Sequence, residues 1–345
     1  MRMSYRYSSL TGAIGDKASP LRQYLDRRYP NLKPVQADYR ARASTLLVAG
    51  CSANSGTLGA AFDYLLRFTC DGDYVPQTAM IAFRDRPDHV AVVEELSELA
   101  GQACVRPVPE DTVEVVVRAC WALALCTELY RSRLAFPNSP LAEPIRSGRF
   151  TTEVLLALAP GDAVAEMRTL YQLALAELAD FLSATTPVAV LGPTFSASKL
   201  CAADADLIVD GVLIEVKTRL GVANRRTGQR SDSLPLPDIY QMIGYALFDT
   251  TDTFAIHTAA LYSARYGALH TWPLQHLLDT LADEPIDLAA ERAHVWKLLG
   301  GQQIPAILTP GGATLARQSL PITDSMRSPS LASRLGKLLH RVQHR

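Results

Sequence analysis

Three residues near the middle of the chain are spaced to do chemistry together: Asp206, Glu215 and Lys217. They lie in two alternating runs, Ala203–Val209 and Val212–Thr218, joined by Asp210-Gly211. An Asp-Gly pair between alternating runs is the strongest short-range signal for a two-residue hairpin turn. With that turn Val209 pairs with Val212, and the register assigns every side chain to a face. One face receives Ala205, Leu207, Val209, Val212, Ile214 and Val216, all apolar. The other receives Asp204, Asp206 and Ile208 against Leu213, Glu215 and Lys217, with Asp206 across from Glu215 and Asp204 across from Lys217. Facing Cβ atoms lie about 4.5–5.5 Å apart, a distance at which like charges destabilise a sheet.

A divalent cation would offset the Asp206–Glu215 repulsion. Mg²⁺ binds through one or two carboxylates and completes its shell with waters and substrate phosphate oxygens. Lys217, two residues beyond Glu215 and therefore on the same face, could orient or help deprotonate an attacking water. Arginine could not readily do so, because its guanidinium keeps its proton near neutral pH. That distinction matters in a chain with only six lysines against 28 arginines. A solvated, merely amphipathic hairpin is the competing reading of these residues alone.

Asp206 and Glu215-Val216-Lys217, on adjacent strands after a helix and a first strand, resemble the PD-(D/E)xK nuclease superfamily. The resemblance covers residues 162–273, about a third of the chain, and departs from the pattern at Ala205, where the family often has proline. It implies an α/β, restriction-endonuclease-like mixed sheet flanked by helices. It also implies Asp206 and Glu215 as ligands of Mg²⁺ or Mn²⁺ and Lys217 as the catalytic lysine. Gln241-Met-Ile-Gly-Tyr245 in the next helix is similar to the Q-x-x-x-Y motif of the RecB-like branch, with Gln241 and Tyr245 on one helix face. Neither an upstream helix histidine nor an iron–sulfur cysteine set is visible.

The superfamily often draws a further acid from its first core helix. Glu166 and Glu177, eleven residues apart, share a stripe of that helix. Glu177 is the choice because it lies nearer the sheet, with Asp204 as another possible ligand. Lys199 before the hairpin, and Arg219, Arg225, Arg226 and Arg230 after it, are candidate contacts to a nucleic-acid backbone. The implied activity is hydrolysis of phosphodiester bonds, DNA favoured, in genome defence or DNA processing. A catalytically inactive nucleic-acid-binding or scaffold protein is the alternative.

The elements that must position these groups follow from periodicity. Helical spacing of apolar residues runs through 57–68, 90–100 and 112–130, and again from Asp162 to Ser183. A strand at Val188–Leu191, the hairpin, a helix at Pro237–Asp249, strands at Ala255–Tyr262 and Gly267–Pro273, and helices at 274–282 and 288–299 complete the order. Gly50 to Thr57 has the Gly/Ser content of a phosphate loop but lacks its lysine, so it reads as a helix start. The domains expected are a basic irregular arm (1–43), a mainly helical region (44–155), the nuclease-like core (156–282) and a C-terminal helix with a basic tail (283–345).

With 345 residues, 48% hydrophobic and 20% charged, the chain is sized for about two domains of a soluble protein. The most apolar stretch, 113–130, is broken by Glu114, Arg118 and Glu128, and the N-terminus has no apolar signal region. A cytoplasmic protein without a membrane span is expected. Six cysteines without CxxC spacing and scattered histidines argue against a zinc site. The net charge of −1 conceals +6 in residues 1–43 and +4 in 321–345 around a body of −11. Basic ends are candidate grips on nucleic acid, and the helical region could pair with a second copy or a partner protein.

Overall fold

The computed structural model describes residues 5–105, 109–182 and 189–302. Its centre is a five-stranded mixed sheet in the order β1-β2-β3-β6-β7: β1 Ala189–Leu191, β2 Leu207–Val209, β3 Val212–Lys217, β6 Thr258–Ser263 and β7 Ala268–Pro273. A separate two-stranded ribbon, β4 Val222–Ala223 with β5 Arg230–Ser231, interrupts the chain between β3 and β6. Asp210-Gly211 forms the expected turn, with both residues in the left-handed region. Leu207 faces Ile214 and Val209 faces Val212, the register read from the alternation. After the Leu236–Phe248 helix the chain returns parallel to β3 as β6, as a crossover requires.

Both sheet faces are covered. Ile208, Leu213, Ala259, Leu261 and Trp272 share a core with Ile239, Met242 and Ile243 of the Leu236–Phe248 helix. Leu207, Val209, Ile214 and Tyr262 are buried on the opposite face. A helical layer contains the Ser55–Cys70, Pro87–Gly101, Glu110–Arg131 and Gly161–Glu177 helices. Residues Val115 to Cys126 of the third are almost all buried, with only Arg118 partly exposed, as expected of a helix apolar around most of its circumference. No helix among the described residues is long and apolar enough to cross a membrane.

The first 43 residues correct the sequence reading. They are not an irregular arm but carry three helices, Leu10–Gly15, Pro20–Arg28 and Leu32–Ala41. Ser19 and Pro20, which resemble loop residues, are the cap and first residue of the second helix; Ser9 caps the first. Leu10, Ile14, Leu21, Leu25, Tyr29 and Tyr39 enter the same core as the sheet. Their basic residues are partly spent internally: Arg28 binds Glu291 at 2.8 Å and Arg22 binds Asp26 at 2.8 Å. Val188, Ser183 and the basic tail 321–345 lie outside the described residues.

The long helix expected from Asp162 ends at Glu177, and a short helix, Ala179–Leu182, follows. Glu166 on its inner side is buried against Arg265 and accepts a hydrogen bond from the Cys51 backbone N–H at 2.5 Å. Arg265 also donates to the Thr218 carbonyl, just beyond Lys217, and to the carbonyls of Val48 and Ala49. This one guanidinium ties the end of β3 to the segment leading into the Ser55–Cys70 helix.

Two stability outcomes follow. Deleting residues 1–41 is expected to abolish cooperative thermal unfolding followed by circular dichroism, whereas a deletion variant melting near the wild-type temperature would restore the arm reading. Glu166→Ala strands a buried guanidinium and is expected to cost about 3–5 kcal/mol in denaturant unfolding. A loss below about 1 kcal/mol would contradict this.

Candidate active site

Asp206 stands at a bend immediately before β2, where the regular ladder has ended at Leu207–Ile214. Its Oδ2 accepts from the Val216 backbone N–H at 2.7 Å, which fixes the carboxylate against β3. Gly192 donates its N–H to the Asp206 carbonyl at 2.9 Å. Across from it Glu215 is 3% exposed: Oε1 accepts from Lys217 Nζ at 2.7 Å, and Oε2 is buried with no hydrogen-bond partner. Lys217 Nζ also donates to Gln241 Oε1 at 3.0 Å and lies 3.9 Å from Asp238. Gln241 Nε2 in turn donates to the Tyr245 hydroxyl at 2.6 Å, and the Tyr245 ring stacks on Phe195. The Q-x-x-x-Y face therefore does point at the lysine, with Gln241 touching it and Tyr245 behind.

The bend at Asp206 carries Asp204 away from Lys217, the partner expected from an unbroken ladder. Asp204 instead bridges to Thr194 and lies 3.7 Å from Arg131. Glu177 is not brought to the other acids. It accepts from the Leu269 N–H on the edge strand β7 at 3.3 Å, beyond β6 from the hairpin.

The acid that sequence reasoning missed comes from the Ser55–Cys70 helix. Asp63 is held by Arg67 one turn later, Nε to Oδ1 at 2.9 Å and Nη2 to Oδ2 at 2.7 Å. Arg67 also donates to the Tyr74 hydroxyl at 2.8 Å. Its guanidinium occupies the space beside Gly192 that any Cβ would need, at 2.3 Å from an ideal Cβ position. Gly192 also has φ +61°, so two constraints call for glycine there. This packing brings the Asp63–Arg67 pair into electrostatic contact with Asp206.

Four carboxyl groups, Asp63, Asp206, Glu215 and Asp238, thus face three cations, Arg67, Lys217 and Arg219. Burial pushes Glu215 up to about 8, with Asp206 adding to the effect and Lys217 opposing it. Burial likewise pushes Asp63 up to about 7, against Arg67, and raises Asp206 against Arg67 and Lys217. Burial works to strip the Lys217 proton, but Glu215 and Asp238 outweigh it and the ammonium is held more tightly than usual. With all four carboxyls ionised the site would be short of positive charge, which the raised Asp63, Asp206 and Glu215 answer by holding protons, and Glu215 Oε2 has no hydrogen-bond partner. An oxygen-seeking divalent cation fits both features through Asp206 and Glu215. Among the described residues no group of three or more His, Cys, Asp or Glu converges as a metal site, so water or substrate would complete the shell.

The expected backbone contacts divide. Arg219 is committed to Asp238 and to the Ser233 carbonyl, so it braces the site from within. The exposed Lys199 places its ammonium over the Trp296 ring at 4.8 Å. Arg225, Arg226 and Arg230 are exposed on the β4–β5 ribbon.

The pKa of Glu215 dictates a pH dependence. The carboxyl is neutral in both states at low pH; between its ordinary 4.5 and about 8 the unfolded chain releases the proton while the folded chain keeps it. Its stabilising contribution is therefore full below the lower value and lost as pH rises through the upper, at up to about 1.4 kcal/mol per pH unit. In EDTA the Tm contribution of this group is expected to fall from pH 6 to pH 8. Glu215→Gln should flatten that fall, and Mn²⁺ should reverse it in the wild type but not in Glu215→Gln. Identical pH profiles for both proteins would contradict the assignment.

No protein-family model, no curated protein and no solved structure matches this chain, so the residues themselves carry the functional reading.

Proposed function

We propose that this chain is a Mg²⁺- or Mn²⁺-dependent nuclease of restriction-endonuclease-like fold, hydrolysing phosphodiester bonds in nucleic acid. The observation that carries the reading is the pairing of half-buried Asp206 with buried Glu215, one Glu215 oxygen orphaned, with a lysine ammonium hydrogen-bonded alongside. A bound cation would supply Lewis-acid polarisation of the phosphoryl group and an acidified water.

The chain's own groups divide the remaining work. Asp206 and Glu215 would hold the cation, and the Val216 N–H fixes the Asp206 carboxylate. Lys217 keeps its proton, so it acts as a donor and positive charge toward developing negative charge on phosphate rather than as a base. Gln241 aims the ammonium, and Tyr245 and Phe195 hold Gln241. Water attack at phosphorus breaks one P–O ester bond, leaving a phosphomonoester and a hydroxyl end, with the water's proton passing to solvent. Asp63 and Arg67 shape the wall beside Asp206. DNA is the favoured substrate, and defence or DNA processing the setting in which such an activity serves.

Cleavage of single-stranded DNA, duplex DNA and RNA by the wild type and Lys217→Ala, with Mg²⁺, Mn²⁺ or EDTA, tests the proposal. Metal-dependent cleavage by the wild type, slowed by about 10²-fold or more in the variant, is expected. Cleavage that survives both EDTA and the substitution would overturn it. Metal-dependent stabilisation without cleavage of any substrate would favour a binding or scaffold protein.

A further inference from the structure

The β4–β5 ribbon begins five residues after Lys217, which pairs with Ser263, and all of residues 222–230 are exposed. An isolated two-stranded ribbon is marginal in water, and this one is cross-bonded by its own polar groups. Val222 faces Ser231 and Ala223 faces Arg230. Asn224 N–H donates to the Gln229 carbonyl and Gly228 N–H to the Asn224 carbonyl, both at 2.8 Å. Asn224 Oδ1 accepts from the N–H groups of Arg226 at 2.9 Å and Thr227 at 3.2 Å, and Gly228 takes φ +72°.

The base of the ribbon is equally determined. The Tyr266 hydroxyl donates to the Leu220 carbonyl at 2.9 Å, and Arg230 Nη1 to the Gly221 carbonyl at 3.2 Å. Gly221, at φ +71°, passes so close that a Cβ would stand 2.2 Å from the Ser231 carbonyl oxygen. Residues 219–231 hold four arginines and no acid. Among the described residues the Arg225 and Arg226 side chains have no hydrogen-bond or ion-pair partner. Among the described residues the two guanidinium groups at the tip of this pre-shaped ribbon are free, and ordering it on a ligand costs little.

We infer that the β4–β5 ribbon is a duplex-reading finger that enters the major groove of B-form DNA and sets Arg225 and Arg226 on its phosphates. The inference rests on the nuclease reading for the place of the scissile strand. A two-stranded ribbon fits the B-DNA major groove, about 12 Å wide, whereas the deep, narrow major groove of A-form RNA excludes it. Guanidinium forks match phosphate oxygens in pairs. Eight residues of chain separate Lys217 from Arg225. Their Cα atoms are at most about 26 Å apart, so with the reach of the side chains the contacts lie within roughly one turn of the duplex from the cut.

The test is binding of the full chain, in EDTA so that no cleavage intervenes, to duplex DNA, duplex RNA and single-stranded DNA of one sequence across a salt series. Arg225→Ala with Arg226→Ala is expected to weaken duplex DNA binding about 10-fold or more and to lower its salt slope by about 2, leaving the Tm unchanged. The other two ligands should change by less than about 2-fold. A wild type that does not bind duplex DNA, an unchanged duplex affinity, or an equal loss on all three ligands would overturn the inference. The two readings fail separately: loss of duplex binding with no Lys217-dependent cleavage removes the nuclease and keeps the finger. Lys217-dependent cleavage by a double variant with unaltered duplex binding does the reverse.

Discussion

Asp206 lies within Coulombic reach of both Glu215 and Asp63, and burial makes each of these contacts expensive. A carboxylate without full compensation in a protein interior costs several kcal/mol, so the surrounding elements must supply charge at fixed positions. Arg67 supplies it from the helical layer and Lys217 from β3. Arg219 neutralises Asp238 and so leaves Lys217 to the site. Arg265 and Glu166 lock β3 to the segment that starts the Asp63 helix. A positive-φ glycine at 192 gives the Arg67 guanidinium its place. The packing of two distant chain segments thus follows from one concentration of negative charge.

On the nuclease reading a bound cation would answer that concentration, and Glu215 Oε2, buried without a hydrogen-bond partner, is the oxygen it would take. The charge shortage is also local. The −11 of the middle of the chain is largely dispersed over exposed residues or ion pairs such as Arg118–Glu114, whereas here it converges under the end of β3.

What was legible in the sequence was what depends on local period and turn chemistry. The Asp-Gly turn set the Leu207–Ile214 register, and the apolar alternation located the five strands of the main sheet to within a few residues, whereas the β4–β5 ribbon reads as a polar loop. Gln241 and Tyr245 came from the resemblance to the Q-x-x-x-Y motif, and helix spacing only placed them on one face. The N-terminal helices were illegible for a local reason too: each is short, and Ser and Pro that mark helix starts look like loop residues when the core they face is unknown. Asp63 and Arg67 were hidden differently. An acid and an arginine four apart on an amphipathic helix read as an ordinary surface pair, and only tertiary packing, across more than a hundred residues, turns them toward Asp206. Glu177, chosen from a helical stripe, meets the edge strand at Leu269 for the same reason, since a stripe does not say which end meets the hairpin.

The central claim is that the Asp206–Glu215 pair holds a divalent cation, and anomalous diffraction from crystals grown with Mn²⁺ tests it most directly. An anomalous peak bonded to carboxylate oxygens of both residues, absent from crystals of Glu215→Gln grown alike, is expected. Well-ordered crystals with Mn²⁺ present, no peak at this pair and Glu215 Oε2 hydrogen-bonded to a protein donor would contradict it.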